Sequence, residues 1–462
     1  MTPDANDLCV FAVRRGNIEK RLDINYNLPK YTELIKRLKE SFGDRLKRLG
    51  DISDVICGPF GSAIKNTDYQ ENGIPLVRIT NISKDGYMNY SDVVFISEQL
   101  GDSLKRTQVS PGDLVVSQRG SLGQCAIVDD RYSKMNISAN IIAIKSIKET
   151  SASFVRDFIL SSLGQLQLER STSGQVQQKI TTQDIADILL PVGCNEEALL
   201  KNLEEKRIER NQKLQEANKL LDGMDLYIHS ILAIKDITFS SSIISAVRAS
   251  DLCENGTFSA EYYHPERMAA IHAIKASGPV KKLSEIVTFY REIVDSSKSS
   301  DAYLGLAGVE SQTGELSGVV EDTAGQAFAY DKDDVLYGRL RPYLNKVLFA
   351  EQSGICSTEF HVMRVKNKNE VLPEYIAAIL RSDLTLSQTK HMMTGNTHPR
   401  ISNDDVKNLF IPVPDMTIQK EIVEELHERR QKARRLRVEA EQAWQAAKQQ
   451  FERGLLGGLS FE

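Results

Sequence analysis

No run of apolar residues in this chain approaches the roughly 18 needed to cross a bilayer. The opening stretch, MTPDANDLCVF, carries acids where a secretory signal has a basic start and an apolar core. A cytoplasmic protein is therefore the expectation. Cysteine is sparse: Cys9, Cys57, Cys125, Cys194, Cys253 and Cys356 lie far apart, with no CxxC pair. That pattern excludes a disulfide framework and a contiguous zinc motif, and leaves reduced thiols. Positive charge is not in excess either, with 58 Lys and Arg against 63 Asp and Glu, a net charge of −5. Bulk charge alone thus argues against a nucleic-acid binder, though not against local basic patches.

Catalytic signatures are missing too. There is no P-loop, and the clustered glycines of GPFGSA at Gly58 do not fit GxGxxG. HExxH, GxSxG and zinc-deaminase patterns are absent, as is the Asn-Pro-Pro-aromatic tetrad an adenine methyltransferase would need. The seven histidines are scattered, and His264, between Tyr263 and Pro265, reads as the cap of a structural segment. The paired Asp404 and Asp405 read as acids at a helix start, where they favour the dipole and cap amides. The expectation is a non-enzyme with no metal and no cofactor of its own.

What is present is a duplication. SGQVQQKITTQDIADILLPVGC, from Ser173, returns as TGNTHPRISNDDVKNLFIPVPD, from Thr394, at an offset of 221. Gly174, Ile180, Asp184, Pro191 and Val192 recur as Gly395, Ile401, Asp405, Pro412 and Val413. Upstream, LKRLGDIS at Leu46 answers VKKLSEIV at Val280, and GDLVVSQRGSLGQCAIV answers DDVLYGRLRPYLNKVLF. Each half ends in a charged helix with apolar residues three and four apart, over about four heptads. The first seam includes Leu200, Leu203, Leu214 and Leu221, and the second Val423, Leu426, Ala433 and Trp444. At about 1.5 Å per residue each helix would be roughly 45 Å long. The simplest partner for each seam is the other copy, paired antiparallel; the alternative is that each helix packs on its own lobe. Arginines inside the seams either snorkel to water or pair with glutamates such as Glu204, Glu205, Glu424 and Glu425. The fold class is thus α+β, with two similar globular α/β lobes separated by two long helices in an antiparallel coiled coil. The expected boundaries are 1–193 and 233–413 for the lobes, and 194–232 and 414–462 for the helices.

Four polar, glycine-bearing segments sit at matched places in the two copies: SQRGSLGQ, STSGQVQQK, YGRLRPYLNK and TGNTHPR. Arg reads guanine, Gln and Asn read adenine, and hydroxyls and Lys contact phosphate, while glycine admits a close ligand. The candidates for DNA contact are Ser117, Gln118, Arg119, Ser121, Ser173, Gln175, Gln177, Lys179, Tyr337, Arg339, Arg341, Tyr343, Lys346, Asn396, Thr397, His398 and Arg400. The strand-like stretch GIPLVRITN adds Arg78, Thr80 and Asn81. As ordinary solvated turns, these same segments would have no function at all.

GDLVVSQRGSLGQCAIV, DDVLYGRLRPYLNKV, GICSTEFHVMRVK and TGNTHPRISNDDVKNLFIPVPDMTIQKEIVEEL resemble the DNA-specificity subunit of type I restriction-modification systems. The last of these has the family's polar glycine loop, I-P-x-P turn and following glutamine, at Gly395, Ile411, Pro412, Pro414 and Gln419. The first copy departs from the pattern: Gly193 stands in place of the second proline, and the glutamine is missing. The resemblance implies two target recognition domains, each reading half of a split target in double-stranded DNA. It further implies a helical spacer that sets the gap, and docking by two methyltransferase subunits and by restriction (motor-nuclease) subunits. S-adenosylmethionine and ATP would then belong to those partners. The competing readings are a coiled-coil interaction adaptor that never touches DNA, and the recognition part of a split restriction-methyltransferase enzyme.

Overall fold

The computed structural model describes residues 21–120, 122–172, 179–235, 237, 246–247, 252, 258–297, 302–319, 321, 325–395 and 398–456. The chain divides into two compact units. The first takes the described residues through Gln212 and those from Ala440 onward; the second is Lys213–Glu439. No helix among the described residues is long and apolar enough to cross a membrane.

The first unit opens with helix α1 (Pro29–Phe42), whose proline in the first turn is pre-set for helical φ. Its Leu34, Ile35, Leu38 and Phe42 recur on one face and are buried. Strand β1 (Leu46–Arg48) then pairs antiparallel with β10 (Leu189–Pro191), so the start and end of the lobe are tied together. Between them, β2 (Asp54–Cys57), β6 (Leu114–Ser117), β7 (Cys125–Ile127) and β9 (Ile141–Lys145) form an antiparallel sheet in the order β2-β9-β6-β7. A second, mixed sheet has the order β4-β3-β8-β5, from β3 (Ile74–Val77), β4 (Val94–Ile96), β5 (Gln108–Val109) and β8 (Met135–Ile137). The two-residue period of a strand splits β6 between two cores. Leu114 and Val116 enter the cluster built with α1, α4 (Ala152–Leu160) and α5 (Ser162–Ser171). Val115 enters the one built with Val77, Met135 and Ile137. The first sheet therefore has helices on one face and the second sheet on the other.

The second unit repeats this plan. It starts with α8 (Pro265–Ser277), whose N-cap is His264: the ring Nδ1 accepts from the Glu266 amide at 3.3 Å, as the sequence suggested. Strand β11 (Val280–Lys282) pairs with β20 (Phe410–Pro412). The principal sheet runs β12-β19-β16-β17, from β12 (Val287–Tyr290), β16 (Val335–Gly338), β17 (Val347–Phe349) and β19 (Phe360–Val365). Val335 and Tyr337 face the helical cluster while Leu336 faces the other core. The second sheets differ between the lobes. Each contains one parallel pair, β3 with β8 and β14 (Tyr303–Leu304) with β18 (Gly354–Ser357), and an antiparallel neighbour of its central strand. The fourth strand joins at opposite ends: β4 beside β3, but β13 (Ile293–Asp295) beside β15 (Gln326–Tyr330).

Two buried glutamines show how closely the copies correspond. In α5, the Gln167 amide donates to Leu189 O at 3.0 Å and accepts from Leu189 N at 2.8 Å. In α11 (Asp383–Thr389), Gln388 does the same with Phe410, at 3.0 and 2.9 Å. Each side chain acts as an extra peptide unit that finishes the hydrogen bonding of a short strand.

The long helices are α7 (Glu196–Ile231) and α13 (Met416–Leu455), and each contributes a part to both units. In the first unit they pair antiparallel: Asn202 with Gln450 at 3.0 Å, Arg210 with Glu441 at 3.3 Å, and the Arg207 guanidinium 5.1 Å from the Trp444 ring. In the second, Lys213 meets Glu439 at 3.1 Å, Glu216 meets Lys432 at 3.0 Å, and Arg429 donates to Gly223 O at 2.9 Å. Leu203 and Trp444 join the first lobe's core and Leu426 the second's, while Ala433 is buried outside both clusters. Leu200, Leu214, Leu221 and Val423 are half-buried. Helix pairing and packing on the lobes therefore coexist. Of the two readings of the seam arginines, Arg207 follows the second: it is 1% exposed and ion-paired with Glu204, and with Asp157 as well. Arg156 completes this buried network, bonding Asp157 at 2.9 Å.

The first copy's departures have physical replacements. Gly193 has φ +67°, a left-handed turn that Pro414 cannot make, so the two copies leave their strands by different turns. Gln419 bonds Leu372 N at 3.0 Å and Glu370 O at 2.9 Å, tying α13 to the start of α10 (Pro373–Arg381). Glu196 takes this place in the first copy, accepting from Thr150 Oγ1 at 2.7 Å and Ser151 N at 3.1 Å.

Candidate nucleic-acid interface

In each lobe one polar segment is hydrogen-bonded to the residue that directly follows the other. In the first lobe, the backbone at Gln118 donates to Asn140 O at 2.9 Å and accepts from Ile180 N at 3.1 Å. In the second, Arg339 N donates to Glu359 O at 2.9 Å and Arg339 O accepts from Ile401 N at 3.0 Å. The turn after β6 or β16 is thus clamped against the loop that precedes α6 (Thr181 cap, Thr182–Ala186) or α12 (Ser402 cap, Asn403–Lys407). Thr181 Oγ1 accepts from Asp184 N and Ser402 Oγ from Asp405 N, so Asp404 and Asp405 do stand in a first turn as expected, but the capping acceptor is the hydroxyl ahead of them. In the second lobe Arg341 N also donates to Pro399 O at 2.7 Å, while Thr394 and Arg400 exchange two bonds of 2.9 Å. Arg341 and Asn345 both have φ +50°, which bends the turn back upon the loop.

The side chains at these junctions divide by exposure. Arg119, Lys179, Arg341, Tyr343, His398 and Thr80 are exposed. Arg119 and Arg341 form no ion pair among the described residues. Lys346 is half-buried and donates to Leu306 O at 2.7 Å, and burial lowers its pKa. Arg400 binds the Glu359 carboxylate through Nε and Nη2, at 3.1 and 2.8 Å, and Arg339 lies 3.9 Å from the same group. The Arg400 hydrogen bonds hold the Glu359 carboxyl below its usual range. Where the second lobe has Glu359, the first has the neutral Asn140 at the matching backbone bond. Arg78 bonds Asp92 at 3.0 Å.

Four candidates face inward instead. Asn81 is buried, accepting from Arg78 N at 2.8 Å and donating to Asn89 O at 2.9 Å. Ser117, Gln118 and Tyr337 are also buried, because they extend strands whose two faces both lie against cores. Their polar groups serve the lobe, as when Ser117 Oγ accepts from Gln124 N at 3.1 Å. Ser121, Ser173, Gln175, Gln177, Asn396 and Thr397 lie outside the described residues. Sequence reasoning did not single out Glu359, although it lies inside a quoted stretch, STEFH. It also missed His361, whose pKa burial, and secondarily Arg339, push down to about 4, so a neutral imidazole stands behind the second junction.

The family described as "Type I restriction modification DNA specificity domain" matches residues 310–434. By sequence the chain is similar to the type I restriction enzyme EcoDI specificity subunit of Escherichia coli, 27% identical over 119 residues. That alignment covers 25% of this chain and spans only about a quarter, 26%, of that subunit. Among solved structures it is similar to the type I restriction-modification S subunit from M. genitalium, at 14% identity and TM-score 0.45, covering 88% of this chain and 95% of that one. The HsdS subunit from Thermoanaerobacter tengcongensis is another, at 14% identity and TM-score 0.31, covering 90% and 98%. The likeness seen in the sequence stands for residues 310–434, which match the model of a type I restriction-modification DNA specificity domain.

Proposed function

We propose that this chain is the non-catalytic, DNA-reading specificity subunit of a type I restriction-modification complex. Each lobe reads one half of a bipartite target, the helix pair sets the gap, and methyltransferase and restriction subunits dock on it. Those partners would supply the chemistry, with S-adenosylmethionine and ATP bound there. The observation that carries this reading is the junction built twice from the same backbone bonds, at Gln118 and at Arg339, with the second copy inside a DNA specificity domain. Arg119 and Lys179 in one lobe, and Arg341, Tyr343 and His398 in the other, are exposed side chains of the kinds that meet phosphates and base edges. Glu359 holds Arg400 in a fixed orientation, and a guanidinium so oriented approaches a guanine edge in two-point geometry at little entropic cost. Asn140 offers no such carboxylate, so the lobes are suited to different half-sites.

The test is a half-exchange read by genomic methylation mapping. Replacing residues 1–193 with those of a related chain of different target, in the assembled complex, should change one half of the methylated sequence and leave the other. A change in both halves, or in neither, would refute the reading. If the chain were an adaptor that never contacts DNA, the methylated sequence would be indifferent to the exchange.

A further inference from the structure

Apart from the loop junctions, the described residues of the second unit gather a set of metal-ligating atoms. His264, Glu266 and His391 each offer one such atom, and these lie within 4.8 Å of one another. His264 spends Nδ1 on the helix cap, leaving Nε2 for another partner. His391 Nε2 is 3.0 Å from Glu266 Oε2, and Lys390 ion-pairs with the other oxygen of that carboxylate. The two imidazoles are stacked, with centroids 3.4 Å apart and planes inclined by 15°. Glu266 is buried, at 8% exposure, while both histidines are reached from the surface.

An ion would replace the His391–Glu266 hydrogen bond, because an atom that holds a proton cannot also hold a metal. A tetrahedral ion with bonds of about 2.0–2.1 Å places its ligand atoms roughly 3.3 Å apart. Closing from separations within 4.8 Å requires the two stacked rings to fan apart by side-chain rotation. Two imidazoles and one carboxylate suit zinc and its late first-row neighbours, whereas calcium and magnesium prefer oxygen-only sets.

We propose that His264, Glu266 and His391 form a three-ligand site for a zinc-type divalent ion, fastening the start of α8 to the segment that leads into the Thr394–Arg400 loop. Water completes the coordination, and Lys390, a cation beside the site, weakens it relative to a closed four-ligand centre. The consequence is mechanical. His391 stands three residues before Thr394, so the ion would anchor one end of the loop that is clamped to Arg339 and Arg341.

The test titrates the purified full-length chain, stripped with a chelator, with zinc alone against a chelating dye. The expected result is one equivalent bound at micromolar or lower zinc. Binding should be at least tenfold weaker in E266Q and in H391A, and unchanged in H272A, an exposed histidine on the same helix. Lys390→Met should bind zinc more tightly while keeping all three ligands, so it reports even if a ligand variant fails to fold. A wild-type chain that takes up no zinc at micromolar concentration, or E266Q and H391A that bind as wild type does, would overturn the site.

Discussion

Replacing Gln388 by alanine removes a side chain that is 1% exposed and completes the edge of β20. Three bonds go: Phe410 N to Oε1 at 2.9 Å, and Nε2 to Phe410 O at 3.0 Å and to Leu384 O at 3.2 Å. A buried donor or acceptor left without a partner costs about 1–3 kcal/mol. Phe410 is half-buried, so water recovers part of this, and about 3 kcal/mol is expected for the two orphaned groups together. Gln167 makes the matching bonds at 2.8, 3.0 and 3.3 Å, so Q167A should cost the same in the other lobe. At 1.4 kcal/mol per factor of ten, backbone amides around Leu189 or Phe410 should lose roughly a hundredfold in hydrogen-exchange protection. Each loss should stay local to its own lobe. Q388E should be worse than Q388A, because a carboxylate oxygen would face two carbonyl oxygens with no proton between them. The assay is hydrogen exchange read by mass spectrometry on peptides covering both strands. Less than a fivefold change in either lobe, or effects differing by more than tenfold between lobes, would refute the claim that the glutamines do one job twice.

Two further predictions rest on charge. Burial, and then Asp383, push the Asp225 carboxyl up to about 6, above its unfolded value near 4. The folded chain therefore binds more protons than the unfolded one across that window, and stability should fall as pH rises from about 4 to about 6. D225N keeps the acceptor for Asp383 N, and should flatten that slope and stabilise the protein at pH 8 by on the order of 2–3 kcal/mol, measured by urea unfolding. Arg119→Gln and Arg341→Gln should each weaken DNA binding by the assembled complex and each lower the slope of log K against log salt by about 1. A slope unchanged in both would place these exposed arginines away from phosphate.

The duplication, the order of strands and helices, the helix caps and the absence of a contiguous catalytic motif were legible in sequence, because each depends on residues close together in the chain. An acidic turn running into a β-branched stretch marked β6 and β16 as strands, and the three-and-four spacing marked α7 and α13 as helices. For the seam arginines the nearby partner Glu204 was legible, three residues before Arg207, but the distant one was not. Arg207 finds Asp157 fifty positions away, and no local pattern reports that pairing. The loss of the glutamine from the first copy was legible, but its replacement by Glu196 was not, for a related reason. Its role is defined by the backbone of Ser151, which a carboxylate satisfies as well as an amide does.

The candidate interface divides along the same line. Residue type located the polar segments, and Arg119, Lys179 and Arg341 are exposed as expected. Asn81, Ser117, Gln118 and Tyr337 have the same chemistry but are buried, Ser117 and Tyr337 on strands packed on both faces, Gln118 just past one and Asn81 in a 3-10 turn, and burial is a property of what covers a segment. The His264, Glu266 and His391 cluster joins residues more than a hundred positions apart, with no spacing to betray it. Sequence by itself determined that this protein is one plan written twice, since a repeat and its periodicities are carried by the chain alone. Only the tertiary structure decided which polar groups face water, which charges neutralise one another and which loops meet, because those depend on hydrogen bonds and packing between segments that the chain keeps far apart.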